Sequence, residues 1–371
     1  MTLRVLLTVP TLAPSFGGPA LKVRALQSAL MQRGHEVRVA GVTGQGNGST
    51  VVSLKAIGRF HGTPIPWNLH RVAEVVRACD VVHVIGYRDP VGSTAALEAR
   101  RRGVPYLLEP VGMHRRRLRS LKLKAVFDAT LGRAVVNGAR LLVATSSLEA
   151  QELAEDGVPA DRIALRPNGL DVAQFDRLPG RGEFRAQLGI PDRAPVVLSV
   201  ARIAAKKGLP ALARTVSAID GVHLVIAGPD GGDGTLSELY AITERHPHSR
   251  LHVMPNGLWG EEKLQAFADS DLFCLNSMTE NFGIAAAEAA CAGLATLVTD
   301  ECGVAEWLGN GVERVSYGDV SALAESIRQL LRDDARRKAL AERGRMAAQR
   351  LTWARIADEQ IELYRRALAP A

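Results

Sequence analysis

The chain has 371 residues, of which 47% are apolar and 23% are charged, and its formal net charge is +7. This length exceeds the usual size of a single hydrophobic core, so a globular protein of two domains is expected. No run of about eighteen apolar residues occurs, which argues against a membrane-spanning helix.

The first residues of the chain and its cysteines bear on the cellular compartment in which the protein is expected. Residues 1–7 (MTLRVLL) are too short for a signal peptide and continue into a strand pattern. The cysteines Cys79, Cys274, Cys291 and Cys302 lack Cys-x-x-Cys spacing, so neither a zinc site nor a disulfide framework is expected. We predict a cytoplasmic protein with free thiols.

Short apolar runs alternate with helical patterns along the first half. Strands are predicted at residues 3–9, 36–42, 81–85, 106–108 and 141–144, with a further candidate at 163–166 and a helix at 19–33. These strands show little polar alternation, as expected for strands buried on both faces of a parallel sheet.

The same pattern restarts in the second half. Strands are predicted at 196–200, 223–227, 251–254, 272–275 and 295–298, followed by helical patterns at 320–350 and 353–368. The fold class predicted is therefore α/β, with two doubly wound domains at residues 1–178 and 179–352. The linker is predicted within 175–184, which contains Pro179 and neighbouring glycines.

Ligands of such sheets bind in loops that follow the carboxyl ends of the strands. Residues 14–19 (PSFGGP) carry Gly17 and Gly18 before a helix, where backbone amides can approach a phosphate. Residues 201–208 (ARIAAKKG) offer Arg202 and Lys207, two cations that can neutralise a diphosphate. Residues 228–234 (GPDGGDG) do not match a calcium loop and favour a turn, so no metal site is predicted.

The most informative loop follows the strand at 272–275. Glu280 lies in this loop, and Glu288 lies one turn into a helix predicted at 285–291. The amides of residues 281–284 stand at the start of that helix, placed to bind phosphate oxygens, while the two carboxylates suit sugar and ribose hydroxyls. From spacing alone, two glutamates that stabilise a helix dipole explain the pattern equally well.

Positive charge is concentrated in the first half. Residues 1–180 contain 24 Lys and Arg against 14 Asp and Glu, and residues 115–124 (RRRLRSLKLK) form the densest stretch. This stretch fits phosphate groups, an acidic saccharide or an anionic membrane leaflet, and a solvated face of a basic helix explains it as well. Nucleic acid is not an expected partner, because no aromatic residues are interleaved.

Taken together, these loops resemble the retaining glycosyltransferases of family 4. The most specific part is 280–284 (ENFGI) through 288–293 (EAACAG), and the segments 258–264, 269–273, 202–208 and 167–171 are similar to that family too. The resemblance covers essentially the whole chain. It implies the GT-B fold, with two Rossmann-like domains that face each other across a cleft and a terminal helix, residues 353–371, that returns to the N-terminal domain.

The resemblance also implies a function. It implies transfer of a sugar, with retention and without a metal or cofactor, from a nucleoside-diphosphate sugar to a saccharide or lipid-linked acceptor, as in cell-surface glycan synthesis. The protein would be cytoplasmic and peripheral on the inner face of the membrane. The implied catalytic residues are Glu280, Arg202, Lys207 and His114, and the implied donor-binding residues are Gly17, Gly18, Arg202, Lys207, Asn281, Phe282, Gly283, Ile284 and Glu288.

Two positions depart from the family pattern. Val111 stands before Gly112, where members often carry His or Arg, and His114 is the candidate replacement on the acceptor side. Thr279 stands where Ser is commoner and keeps a hydroxyl group. A nucleotide-sugar 2-epimerase of similar architecture is the alternative interpretation. An NAD-dependent oxidoreductase is disfavoured, because no Gly-x-Gly-x-x-Gly motif follows a strand with an acidic residue about twenty positions on.

Overall fold

A computed structural model of the protein describes residues 1–13, 18–43, 49–60, 63–114, 121–245 and 250–370. The chain forms two compact units, Met1–Gly169 with Trp353–Ala371, and Leu170–Thr352. The division lies upstream of the predicted position at 178. Phe175 and Phe184 are 2% and 1% exposed in the core of the second unit, so the predicted linker at 175–184 belongs to that unit.

The first unit is built on a parallel sheet. Its strands run in the order β3-β2-β1-β6-β7-β8-β9 in the described chain, and a separate antiparallel hairpin pairs β4 with β5. The strands are β1 Arg4–Thr11, β2 Glu36–Val42, β3 Val51–Leu54, β4 Ala56–Phe60, β5 Thr63–Pro66, β6 Val81–Ile85, β7 Tyr106–Glu109, β8 Leu141–Ala144 and β9 Ile163–Leu165.

Helices cover the faces of this sheet. They are α1 Gly18–Met31, α2 His70–Val76, α3 Pro90–Arg102, α4 Leu121–Phe127, α5 Arg133–Gly138, α6 Ser147–Glu155 and, from the end of the chain, α15 Trp353–Leu368. A π-helical segment, Asp128–Gly132, joins α4 to α5. The last helix packs Ala357, Ile361 and Tyr364 into the core around β1, which places it in the first unit.

The second unit repeats the design. Its parallel sheet has the strand order β12-β11-β10-β13-β14-β15 in the described chain. The strands are β10 Val196–Val200, β11 His223–Ala227, β12 Leu251–Met254, β13 Leu272–Leu275, β14 Thr296–Thr299 and β15 Glu313–Val315. The helices are α7 Glu183–Leu188, α8 Leu209–Ser217, α9 Thr235–Arg245, α10 Gly260–Asp269, α11 Ile284–Cys291, α12 Val304–Leu308, α13 Val320–Arg332 and α14 Asp334–Ala348.

The prediction of two doubly wound parallel sheets is confirmed, with local corrections. The helical pattern predicted at 320–350 is two helices, because Asp333 adopts an extended backbone and its side chain caps α14 by accepting from the Arg336 amide. The strands β3, β4, β5 and β15 were not predicted.

The strand order of each sheet reverses direction at one pair of neighbours. In the first unit this happens between β1 and β6, and in the second between β10 and β13, where Val197 pairs with Leu272 and Leu198 with Phe273. The loops that leave such neighbouring strands part to opposite faces of the sheet and leave a crevice at their carboxyl ends. In the second unit, the loops after β10 and β13 therefore border this crevice.

A buried group of charged side chains lies at the carboxyl end of β7. Glu109 is 0% exposed and accepts from Arg166 Nη2 at 2.7 Å, and the Lys22 ammonium contacts both Glu109 and the side chain of Asn168. His83 Nε2 lies 3.3 Å from the same carboxylate. These contacts join α1, β6, β7 and the segment that leaves β9.

The charges in this group depend on one another. Burial alone would raise the pKa of Glu109, but the neighbouring Lys22 and Arg166 outweigh it and hold that pKa well below its ordinary value. Burial lowers the pKa of Lys22 to about 8, and it also lowers the pKa of His83, which favours the neutral imidazole. Glu109 is therefore the anion that keeps two buried cations in place.

We expect Glu109→Ala to lower the free energy of unfolding by about 3–5 kcal/mol, because it leaves buried cations without their counter-charge. Glu362→Ala is the matched control. Glu362 is 63% exposed and pairs on α15 with Arg365, which is 60% exposed, so its loss should cost less than about 1 kcal/mol. Urea denaturation of both variants measures the difference, and equal midpoints would contradict the role given to Glu109.

Candidate functional site

The loops at the carboxyl edge of the second sheet are joined by backbone hydrogen bonds. Ile203 N, after β10, donates to Pro229 O, after β11, at 2.9 Å. Met278 N, after β13, donates to Lys206 O at 2.9 Å. Backbone bonds of this kind are strong and cannot rotate away, so they fix the loops as one surface.

Lys207 and Glu280 meet on this surface. Lys207 ends a short 3₁₀ turn, Ala205–Lys207, after β10, whereas Glu280 belongs to the loop after β13. Their side chains form an ion pair and are only 10% and 19% exposed. The structure thus brings together two residues that lie 73 positions apart and that sequence analysis placed in one site.

A close approach at Gly208 sets this pairing. Gly208 has φ +58 and ends the turn that carries Lys207. A Cβ atom there would lie 2.3 Å from the Asn276 carbonyl oxygen, and Asn276 Nδ2 donates back to Gly208 O at 3.1 Å. Only a residue without a Cβ lets the loops after β10 and β13 pass this close.

The helix α11 begins directly after the Glu280 loop. Gly283, with φ +93, is the N-cap residue of α11. Its carbonyl accepts from the amides of Ala286 and Ala287. In the described chain the amides of Ile284 and Ala285 donate to no backbone acceptor. Two N–H groups at a helix start form a site suited to an anion.

Residues 281–284, whose amides were predicted to bind phosphate oxygens, have side chains in different surroundings. Phe282 is 2% exposed and packs in the core, so its side chain anchors the loop. A Cβ atom at Gly283 would meet Cys302 Sγ at 2.7 Å, which explains the glycine. Asn281 and Ile284 are half-buried at the start of α11.

Residues 301–304, after β14, hold the Glu280 loop from the other side. Glu280 N donates to Glu301 O at 2.9 Å, and Gly303 N donates to Glu280 O at 3.0 Å. Val304 N donates to Phe282 O at 2.6 Å. The sequence does not mark this segment, because its contacts use backbone groups that every residue type except proline possesses in full.

Glu288 does not stand beside Lys207 in the described contacts. It pairs instead with Lys263 of α10, whose Nζ donates to Glu288 Oε1 at 2.8 Å. The two side chains are 17% and 14% exposed. The segment with Lys263 contributed to the family resemblance, but this contact could not be read from it.

The other predicted donor-binding residues differ in their surroundings. Arg202 is exposed just after β10, and no described residue pairs with its guanidinium. Gly18 is the first residue of α1 in the first unit, whereas Gly17 lies outside the described residues. In the turn at 228–234, Asp230 Oδ1 accepts from Gly232 N, and Asp233 Oδ2 accepts from Ala205 N at 3.0 Å.

His114 lies in the first unit, in the loop after β7. Its Nε2 is 3.2 Å from Asp156 Oδ2, and its ring is 5.4 Å from that of Tyr87. Arg88 Nη2 donates to the His114 carbonyl at 2.6 Å. The imidazole is therefore held by neighbours of its own unit.

The same loop carries backbone strain. Arg88 and Val111 have φ +61 and +54 and are the two non-glycine residues of the described chain in the left-handed region. A β-branched residue there is an outlier that persists only when its surroundings impose it. Glu149 accepts from the Gly112 amide at 2.6 Å, and Arg88 holds the other end of the loop. Residues 111–114 are thus held in one conformation.

We expect Gly208→Ala to destabilise the second unit more than Gly221→Ala does. Both glycines are left-handed, but a Cβ atom at Gly221, with φ +77, meets nothing within 4 Å. The control should cost about 1 kcal/mol of unfolding free energy for the backbone alone, and Gly208→Ala about 1–3 kcal/mol more for the overlap with Asn276. Urea denaturation measures both, and equal losses would show that the loops can move apart freely.

The chain is similar to curated relatives over part of its length. It is 31% identical to a D-inositol 3-phosphate glycosyltransferase of Kineococcus radiotolerans in an alignment of 259 residues that covers 63% of this chain and 59% of that protein. It is 30% identical to the enzyme of the same name from Xylanimonas cellulosilytica in an alignment of 252 residues that covers 63% of this chain and 58% of that protein. The chain therefore spans less than two thirds of these relatives.

Solved structures share its whole fold. A sucrose-phosphate synthase from Thermosynechococcus elongatus superposes with a TM-score of 0.79 at 21% identity, over 98% of both chains. Anabaena HepE in complex with UDP and glucose superposes with a TM-score of 0.74 at 19% identity, over 97% of this chain and 99% of that one. Likeness at this level of identity establishes the fold, which is the GT-B fold of two parallel-sheet α/β domains.

Both halves of the chain match glycosyltransferase families. Residues 17–169 match the family described as glycosyl transferase 4-like domain. Residues 180–347, which include Lys207, Lys263, Glu280 and Glu288, match the family described as glycosyl transferases group 1. Together with the fold, these matches show that the chain belongs to the group 1, family 4-type glycosyltransferases.

Proposed function

We propose that the protein transfers a sugar, with retention of its anomeric configuration, from a nucleoside-diphosphate sugar to a saccharide or lipid-linked acceptor. The observation that carries the proposal is the Lys207–Glu280 pair next to the start of α11, at the point where the strand order reverses. A cation, a carboxylate and unpaired helix amides stand there together. This combination suits a sugar joined to a diphosphate, since each kind of group has its own partner.

The leaving group sets the main chemical demand. When the glycosidic bond to a nucleoside diphosphate breaks, negative charge grows on the phosphate oxygens. Lys207, Arg202 and the amides of Ile284 and Ala285 would meet that charge with positive groups fixed before the reaction begins. The proposal needs no metal ion or cofactor, because these groups neutralise the diphosphate.

The carboxylates would bind hydroxyl groups. Glu280 adjoins the cation and the helix start, and in the proposal it accepts from hydroxyls of the donor sugar. Glu288, on the next turn of α11, accepts from the ribose. In the first unit, Gly17, Gly18 and the strained loop with His114 would contribute to the donor phosphates and the acceptor.

The similar proteins support this class of donor. Two are named as D-inositol 3-phosphate glycosyltransferases, and a structure that shares the fold contains UDP and glucose. A further one is WaaG, described as a glycosyltransferase involved in lipopolysaccharide biosynthesis, with a TM-score of 0.70 at 17% identity. These names favour cell-surface glycan or polysaccharide synthesis as the setting.

A donor panel tests the proposal. UDP-, GDP- and ADP-sugars are screened by thermal shift, since a ligand that binds only the folded protein raises the melting temperature by mass action. The donor that binds is then incubated with saccharide and lipid-linked acceptors, and the anomeric configuration of the product is determined. Binding without turnover on any acceptor, or a 2-epimer formed from donor alone, would contradict sugar transfer.

We expect Lys207→Ala and Glu280→Ala each to lower kcat/KM for transfer by about a hundredfold or more, as for the loss of a group that stabilises the transition state. Lys338→Ala and Glu325→Ala are the matched controls, because these side chains are 77% and 60% exposed in the same unit. The controls should keep full activity. Near-normal turnover in both site variants, with unchanged folding, would remove the donor site from this place.

We also propose that the protein is cytoplasmic and binds the inner face of the membrane through its basic first half. Among the described residues, no helix has the length and apolar character needed to cross a bilayer. The basic stretch 115–124 falls mostly outside the described residues, so the proposal rests on its sequence. Binding there would bring the enzyme to a lipid-linked acceptor.

Replacing Arg115, Arg116 and Arg117 with Ser should weaken binding to phosphatidylserine vesicles by about a hundredfold, at roughly 1 kcal/mol for each lost charge. The control is the triple variant Arg193→Ser, Arg332→Ser, Arg350→Ser, which removes three exposed charges from the second unit. Co-sedimentation measures both. Equal binding of wild type and the first variant would contradict a membrane role and would favour a basic stretch that is simply exposed to solvent.

A further inference from the structure

Lys263 lies beside the proposed donor site, but the proposed function gives it no role. It is the fourth residue of α10, the helix after β12, and it reaches across to Glu288 on α11, after β13. Its Nζ donates to Glu288 Oε1 at 2.8 Å. Both helices start at the carboxyl edge of the sheet, so the pair lies at the same edge as Lys207 and Glu280.

The Lys263–Glu288 pair is largely shielded from solvent, and Lys263 contacts only one of the two carboxylate oxygens. Lys263 is 17% exposed and Glu288 14% exposed, which limits the competition from water that weakens exposed pairs. Only Oε1 takes the ammonium, and no described residue donates to Oε2. The carboxylate is therefore fixed in rotation with one acceptor oxygen left over.

A carboxylate close to a diphosphate needs a counter-charge. Glu288 lies one turn from the free amides of Ile284 and Ala285, where the donor phosphates would bind. Left alone, its negative charge would repel those phosphates and its side chain would be free to turn. Lys263 removes both problems with one contact, because it neutralises the carboxylate and holds its orientation.

We propose that Lys263 is a positioning residue that holds Glu288 so that Oε2 accepts from a ribose hydroxyl of the donor nucleotide. The inference rests on the proposed function, which assigns the ribose to Glu288. Lys263 itself does not touch the nucleotide. Its effect on binding must therefore pass through Glu288, and the part that comes from orienting the carboxylate must depend on the ribose hydroxyls.

The test compares ribonucleotides with nucleotides that lack a ribose hydroxyl. UDP, ADP and GDP are titrated calorimetrically against wild type, and the tightest of them is compared with its 2′-deoxy and 3′-deoxy counterparts. The variants are Lys263→Ala, Lys263→Arg, Glu288→Gln and the double variant Lys263→Ala/Glu288→Gln. Lys338→Ala is the control for loss of a lysine, since Lys338 is 77% exposed on α14.

Wild type should prefer the ribonucleotide to at least one deoxy counterpart by about tenfold or more. Lys263→Ala should weaken all of these nucleotides, because the unpaired Glu288 carboxylate then repels their phosphates. It should weaken the ribonucleotide by about tenfold more than that deoxy form and so abolish the preference. Lys263→Arg should restore part of it. The double variant should bind no more weakly than Glu288→Gln alone, because both changes remove one interaction.

The outcomes separate this inference from the proposed function. If Glu288→Gln abolishes the preference and Lys263→Ala preserves it, the ribose assignment stands and the role of Lys263 is wrong. If Lys263→Ala weakens ribo- and deoxynucleotides equally, Lys263 affects the phosphates through charge alone and is not a positioning residue. If no nucleotide binds wild type at all, the proposed donor site is wrong, and the role given to Lys263 is overturned with it.

Discussion

The candidate site depends on the passage of one loop backbone against another at the point where the strand order reverses. Gly208 ends the turn after β10, and the Asn276 carbonyl after β13 lies where a Cβ of that residue would stand. Because the two strands are neighbours that pair directly, their loops leave the sheet side by side and then part. The ion pair between Lys207 and Glu280 is a consequence of that approach.

Much of the fold is predictable from the sequence, because the strands of a parallel sheet are buried on both faces. Runs such as 196–200 and 223–227 are apolar without alternation, and the structure places strands there. The strand β15 was missed for the opposite reason. It has three residues, Glu313 and Arg314 among them, and it is a strand only because β14 offers an edge to pair with.

The site was predictable as a set of residues and not as a set of contacts. Glu280, Glu288 and Lys207 stand out through their neighbours in sequence, but the sequence does not say that Lys207 meets Glu280 while Lys263 meets Glu288. Partners in a doubly wound sheet come from loops tens of residues apart, and strand order alone decides which loops adjoin. The segment 301–304 shows the limit most clearly, since it acts through backbone groups that any residue possesses.

In the first unit, buried charge helps to hold a loop in place. Glu109 holds Lys22 and Arg166 in a place with almost no solvent, and the strained loop with Val111 begins right after it. A loop in an unfavourable conformation is stable only if both of its ends are fixed. Here Glu109 fixes the strand end, while Glu149 and Arg88 fix the loop itself. Buried charge and backbone strain are thus parts of one arrangement.

In the second unit, the carboxylates near the start of α11 are balanced by lysines. Two like charges about 5 Å apart repel by about 3 kcal/mol at an effective dielectric constant near 20, so an unpaired carboxylate would oppose a nearby diphosphate strongly. Glu280 and Glu288 both stand near the start of α11, yet each contacts a lysine, Lys207 or Lys263. The lysines come from different helices or turns, which is why each carboxylate can be oriented separately. In the proposed donor site, the two glutamates paired in this way would keep their power to accept from hydroxyls without driving the phosphates away, and a single surface would then suit a sugar, a diphosphate and a ribose together.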